Sequence, residues 1–258
     1  SGDATLQADA AVTIDGLLSG SGGLTKTGSA TLSLGNTGNQ AAMSGDLTVL
    51  DGALSVADGA ALSAGTLTLN GGALTVTAPS ATSIDNDIVL GSNGGTINAI
   101  GQTTVLGVIS GSGDLTANGT SFLAFYGDNT YTGSTTVAEG ILMVGHGNAL
   151  GSTAGATSVV DGATLGVVDN LTVAENLSLG GTGLNGTSGA LRLGASTLTG
   201  SLTLTADTTL TAVGDATLAG AIGGAYNVTK NGAGTLTLSN TNSYSGATTV
   251  SAGTLAIA

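Results

Sequence analysis

Along all 258 residues apolar and polar positions alternate with a period of two, in bursts such as Thr-Leu-Thr-Leu at 235–238, separated by clusters of Gly, Asn, Asp and Ser. Period two sends successive side chains to opposite faces of a pleated ribbon, so each burst predicts a short strand with one buried face. Asp51-Gly52, Asp58-Gly59 and Asp161-Gly162 mark turns, because glycine supplies the positive φ that tight turns require. One inward pair can be followed through the chain: Val12/Ile14, Leu32/Leu34, Leu54/Val56, Leu74/Val76, Ile97/Ala99, Leu123/Phe125, Leu142/Val144, Leu165/Val167, Leu191/Leu193, Leu210/Ala212, Leu236/Leu238 and Leu255/Ile257. Successive pairs lie 19 to 26 residues apart, about 22 on average. A unit of that length cannot bury its own apolar face and becomes stable only by stacking on its neighbours. The expected fold is therefore all-β, a single-stranded parallel β-helix of about 12 coils, forming one domain over 1–258. At about 4.8 Å per coil the rod is about 58 Å long. Leu67/Leu69 and Leu202/Leu204 do not fall in the chosen column and are expected on other faces of the same coils. A β-sandwich is the alternative, although it calls for more uniform hairpin spacing and more aromatic filling.

Composition narrows the choice. Charged residues make up 7% of the chain, too few for the polar faces of a helical bundle. With 2% aromatic residues, no Trp, no Cys and Pro79 as the single proline, the core must be Leu, Val, Ile and Ala. A hydrophobic content of 41% and a mean hydropathy of +0.41 predict an ordered chain. Sixteen acids against three bases give a net charge of −13, and the bases stand apart at Lys26, Arg192 and Lys230. Nucleic acid and anionic membrane are not expected partners, since counterion release needs clustered cations. The lack of cysteine removes disulfides and thiolate metal sites and fits a bacterial exported protein. No basic-then-apolar leader precedes Ser1 and no initiator Met opens the chain, so a mature or excised segment is expected.

Three stretches share one frame. Residues 222–257 carry Val228-Thr-Lys230, Gly232, Leu236, Leu238, Asn242, Tyr244, Gly246, Val250, Gly253, Leu255 and Ile257. Residues 109–144 repeat it with Leu115, Gly119, Leu123, Phe125, Asn129, Tyr131, Gly133, Val137, Gly140, Leu142 and Val144. A looser copy over 17–56 has Leu24-Thr25-Lys26, Gly28, Leu32, Leu34, Val49, Gly52, Leu54 and Val56, three residues longer after Leu34. The frame closely resembles the passenger-associated transport repeat of bacterial autotransporters. The resemblance implies a right-handed β-helix exported unfolded beside a C-terminal outer-membrane barrel and folded on the cell surface or in the extracellular medium. It also implies adhesion, biofilm formation, effector presentation or host-receptor engagement. The barrel itself is absent from this chain, which lacks long alternating strands with aromatic girdles.

Parallel β-helices also carry polysaccharide-acting enzymes, whose sites need converging acids together with Lys, Arg or His. Here His146 and Arg192 lie about two coils apart, and the tight acid pair in Asp85-Asn86-Asp87 reads as a solvated corner. No Gly-Gly-x-Gly-x-Asp series supports calcium, and the Thr-x-Thr pairs lack the regular spacing of an ice-binding face. No catalytic residue, cofactor or metal is expected. Asn129, Tyr131, Asn242 and Tyr244 read as a turn-stabilising Asn and a corner-packing Tyr. The departure from the rhythm is apolar: if Leu123, Phe125, Leu142 and Val144 point inward, Phe122, Tyr126, Ile141 and Met143 point outward, with His146 beside them. Either residues 127–136 fold over this patch or it meets a partner. The expected occupant is a host-cell surface or matrix protein, or another passenger copy, with the chain itself a monomer. The non-catalytic alternative is a purely structural stalk.

Overall fold

A computed structural model describes residues 2–258. Short strands wind through about 13 turns of a parallel β-solenoid. Each full turn has three faces. The fifth shows them plainly, with Ile88–Leu90 on the first face, Gly95–Ala99 on the second and Thr103–Val105 on the third. Every ladder is parallel. On the second face Val12 pairs with Leu32, Leu32 with Leu54, Leu54 with Leu74 and Leu74 with Ile97. On the third, Phe125 pairs with Val105 and Val144, and Val167 with Val144 and Leu193. On the first, Lys26 pairs with Leu6 and Val49, while Leu238 pairs with Leu218 and Ile257. Inward Leu, Val and Ile from all three faces merge into one core running through the stack.

The column followed in the sequence changes face twice. Ile97 pairs with Ala117, not Leu123, and Leu123 pairs with Thr103. Leu210 pairs with Lys230, not Leu236, and Leu236 pairs with Ala216. In both places the true inward residue is a weak hydrophobe or a cation, and the next strong Leu-x-Leu signal belongs to the neighbouring face. Each hop adds part of a coil to the apparent spacing, which is why about 12 coils were expected. The step from Leu165 to Leu191 is genuine, and those residues pair directly. There the chain detours through residues 182–189, which include the short 3-10 turn Leu184–Gly186. Leu67/Leu69 lie on the first face and Leu202/Leu204 on the second.

The acids have a structural use. An Asp immediately before a strand accepts a backbone N–H from the turn above: Asp3 from Gly23, Asp46 from Thr66, Asp87 from Val108, Asp114 from Ser134 and Asp215 from Thr235, at 2.7 to 2.9 Å. Asp207, inside the long strand Leu202–Ala212 where it turns from one face to the next, accepts in the same way from Asn227. These backbone bonds hold the Asp207 and Asp215 carboxyls below the usual carboxylate range, helped by the Asn227 and Thr235 side chains. Buried asparagines add longer clips. Asn39 accepts from Leu18 N and donates to Ala61 O, and Asn129 accepts from Ile109 N and donates to Ala149 O, so each ties three turns together.

The interior also holds polar groups. Lys26 and Lys230 are buried, at 1% and 0% exposure, with their ammonium groups among backbone carbonyls. Burial pulls both amines below the usual lysine range, and for Lys26 the charges of Asp51 and Asp9 partly oppose it. Tyr131 is buried with its hydroxyl 2.6 Å from Thr135 Oγ1. Glu175 is 3% exposed, and burial pushes its carboxyl up to about 7, with the Thr157 hydroxyl acting in the opposite direction. Burial likewise raises the Tyr131 phenol, whose neighbours include the Glu175 charge.

Candidate functional site

The outward patch lies on the third face of the sixth and seventh turns, carried by Phe122–Phe125 and Ile141–Val144. Leu123, Phe125, Leu142 and Val144 enter the core. The pairing of Phe122 with Ile141 and of Ala124 with Met143 sets two outward columns side by side. Tyr126 is 46% exposed, and its ring lies across Gly145, where a Cβ would collide with it. Leu106, one turn below and next to Val105, is 50% exposed and extends the apolar surface. Phe122 and Ile141 are half-buried.

Met143 departs from the expectation of an exposed side chain: it is buried, although outside the solenoid core. Its pairing partner in the next turn is Gly166, and the Met143 thioether fills the space that a Cβ at that position would occupy. A flexible, polarizable side chain thus packs onto a neighbour that has none. His146 stands at the edge with its side chain 42% exposed, and its Nδ1 is 3.8 Å from Asp128 Oδ1. The same nitrogen accepts from Asn148 N at 3.2 Å, which ties the imidazole to its own turn.

The segment 127–136 does not cover the patch, because it builds the wall of the next turn. Thr130 N donates to Ile109 O and Thr132 N to Gly111 O, and Thr135–Val137 is a strand of the second face. The segment that folds back here is the 182–189 detour. Thr164, which pairs with Ile141, accepts from Leu184 N and donates to Gly189 O, each at 2.9 Å. Leu184 then closes one side of a pocket of about 330 Å³ shared with Gly119, Glu139, Gly140 and Asp161. Leu106 and this pocket escaped the sequence reading. The detour had one visible sign, the long step between Leu165 and Leu191.

The outward positions of the same column differ in the other turns: Ser83 and Thr104 below, Gly166 and Arg192 above. The acid pair at 85–87 is wired into the wall, because Asp87 clips Val108 and buried Asn86 donates to Ser63 O and Gly65 O at 2.7 Å. Tyr131 and Tyr244 each hold a hydroxyl contact to the threonine four residues on. Asn129 and Asn242 each accept a backbone N–H from 20 residues earlier. Both pairs serve the architecture.

The passenger-associated-transport-repeat family matches residues 24–56, 115–144 and 228–257. The adhesin BmaC autotransporter of Brucella suis biovar 1 (strain 1330) is 33% identical over 180 residues, a span of 68% of this chain and 5% of that protein. The chain thus corresponds to a small part of the length of the relative it matches, and no solved structure matches it. Three family repeats on a continuous parallel β-solenoid, together with a similar stretch in an autotransporter adhesin, place the chain in the family of autotransporter passengers built from β-helical repeats.

Proposed function

We propose that this segment is an extracellular, non-catalytic rod whose third face at turns five to seven engages a host-cell surface or matrix protein. A passenger and adhesin role is the common ground of the family match and the similar adhesin. The observation that carries the finer reading is the outward cluster of exposed Leu106 and Tyr126 with half-buried Phe122 and Ile141. In the column between them the turns on either side carry Ser83 below and Gly166 and Arg192 above. Exposed aromatic and aliphatic side chains grouped on a rigid sheet suit protein recognition, since tyrosine offers apolar area and a hydroxyl at low entropic cost.

The test is capture of host-cell surface and matrix proteins by the purified segment and by a Leu106→Ser, Tyr126→Ser double variant. Both positions are solvent-facing, so the circular dichroism spectrum and melting midpoint should stay within about 1 °C of the parent. Loss of a captured protein by the folded variant supports the reading. Equal capture moves the contact elsewhere on the rod. A parent that captures nothing leaves the structural stalk, a reading favoured by the use of so many Asp and Asn side chains in clipping one turn to the next.

A further inference from the structure

The three repeats can be aligned through Leu24-Thr25-Lys26-Thr27-Gly28, Leu115-Thr116-Ala117-Asn118-Gly119 and Val228-Thr229-Lys230-Asn231-Gly232. In the first, Lys26 Nζ donates to Gly28 O, to Asp51 O at 2.9 Å and to Thr27 O at 3.1 Å. In the third, Lys230 Nζ donates to Gly232 O and Gly234 O at 2.6 Å and to Ala252 O at 2.9 Å. These oxygens converge because the chain turns the corner on a glycine with left-handed φ one turn later, Gly52 at 62° and Gly253 at 68°. The middle repeat keeps the same corner with Gly140 at φ 70°.

The match extends to the oxygens. A point one Cβ bond from Gly52 lies 2.7 Å from Gly28 O, and the same point at Gly253 lies 2.5 Å from Gly234 O with Gly232 O close by. In those repeats the lysine Nζ comes within 2.8 Å and 2.6 Å of that point. At Gly140 the point faces Gly119 O and, at 2.7 Å, Ser121 O, but Ala117 ends at its methyl group and brings no ammonium. Outside the same corner lies the pocket of about 330 Å³, with exposed Glu139 and Asp161 carboxylates and the Leu184 side chain on its rim.

We propose that this corner of the middle repeat binds a primary ammonium group supplied from outside, the head of an alkylamine or of a lysine side chain of another protein. The carbonyls of Gly119 and Glu139 take the places that those of Gly28 and Asp51, or Gly232 and Ala252, take around the internal lysines. Glu139 and Asp161 draw the cation in, and Leu184 lies along its methylene stem. A primary ammonium has the three donors such a cage needs, and a quaternary ammonium has none.

The test is thermal unfolding of the segment, followed by far-ultraviolet circular dichroism, with n-butylammonium, a Gly-Lys-Gly peptide or tetramethylammonium chloride at equal ionic strength. The expected result is a saturating rise in the midpoint on the order of 2 °C with the primary amines and none with tetramethylammonium. A stronger response to the peptide points to a partner's lysine and a stronger response to butylammonium to a free amine; both support the site. Ala117→Lys should raise the midpoint by itself and abolish the response. Should that variant not fold, the amide resonances of Gly119 and Gly140 in the parent provide the readout, shifting with butylammonium and not with tetramethylammonium. Equal effects of all three salts, no effect of any, or a response that survives in folded Ala117→Lys would overturn the proposal.

Discussion

The middle repeat and the two that flank it share one sequence frame yet start on different faces of the solenoid. The first opens on the first face at Leu24–Thr27, the middle on the second face at Leu115–Asn118 and the last on the third face at Val228–Asn231. The flanking repeats close a corner around a buried lysine, whereas the middle repeat has Ala117 there and a buried tyrosine at Tyr131. The comparison separates what the lattice requires from what it permits. Corner glycines, inter-turn Asn and Asp clips and the parallel ladder recur regardless of face. The side chain filling each interior space is negotiated locally with the turns above and below.

The sharpest way to break the comparison is at the clip both kinds of repeat share. Asn129 is buried and bonded in both directions, so Asn129→Ala leaves Ile109 N and Ala149 O without partners and should cost on the order of 3 kcal/mol. Asn242 is half-buried, holds Ile222 N and otherwise reaches only Asn240 O nearby, so Asn242→Ala should cost less than about 1 kcal/mol. Urea unfolding of the two variants measures the gap. Equal losses would mean that the clip acts locally and does not depend on being stacked on both sides.

Next in size is the caged lysine. Lys230→Met keeps most of the apolar stem but takes the ammonium donor from Gly232 O, Gly234 O and Ala252 O, of which Gly234 O keeps the backbone N–H of Thr254, an expected loss of about 2 kcal/mol in urea unfolding. Removing a desolvated charge works the other way. An unchanged or higher midpoint would show that the cage is tolerated and contributes no net stability, and the contrast with Ala117 would lose its energetic meaning.

The smallest effect concerns pH. Glu175 lies near Tyr131, so its ionisation reports on the interior above the middle repeat. Its folded-state value of about 7 exceeds the ordinary 4.5, so between those values the folded chain holds a proton that the unfolded chain has released. Stability therefore falls as pH rises through that window, by on the order of 1–2 kcal/mol. Glu175→Gln should remove this slope in melting curves taken from pH 5 to pH 8 and leave the variant more stable than the parent at the upper end. An identical slope in parent and variant would place the titration elsewhere.

Much of this was legible beforehand. The alternation of Leu and Val with Thr and Ser predicted short half-buried strands, and a near-constant spacing predicted stacked coils. The repeat frame marked three corners. The face of each strand was not legible, since all three faces use the same x-Leu-x-Leu alphabet and Ala117 and Lys230 interrupt the inward column where it had to be followed. The candidate patch was legible in part. Alternation correctly put Phe122, Tyr126, Ile141 and Met143 opposite the core residues, but exposure depends on neighbours 20 or more residues away. Met143 is covered because Gly166 leaves room for it, and Leu106 joins the surface because the pairing of Val105 with Phe125 sets it one turn below Tyr126.

The sequence by itself determined the local alternation, the turn positions and the need to stack, because these follow from which residues are apolar and how far apart glycines and aspartates fall. Only the tertiary structure decided the register between turns, the burial of Lys26 and Lys230 among corner carbonyls, and the pocket between Gly119, Gly140 and Leu184. The physical reason is that a parallel ladder joins residues about a turn apart in the chain. An interior space is therefore bounded by three successive turns, and its shape exists only once all three are in place.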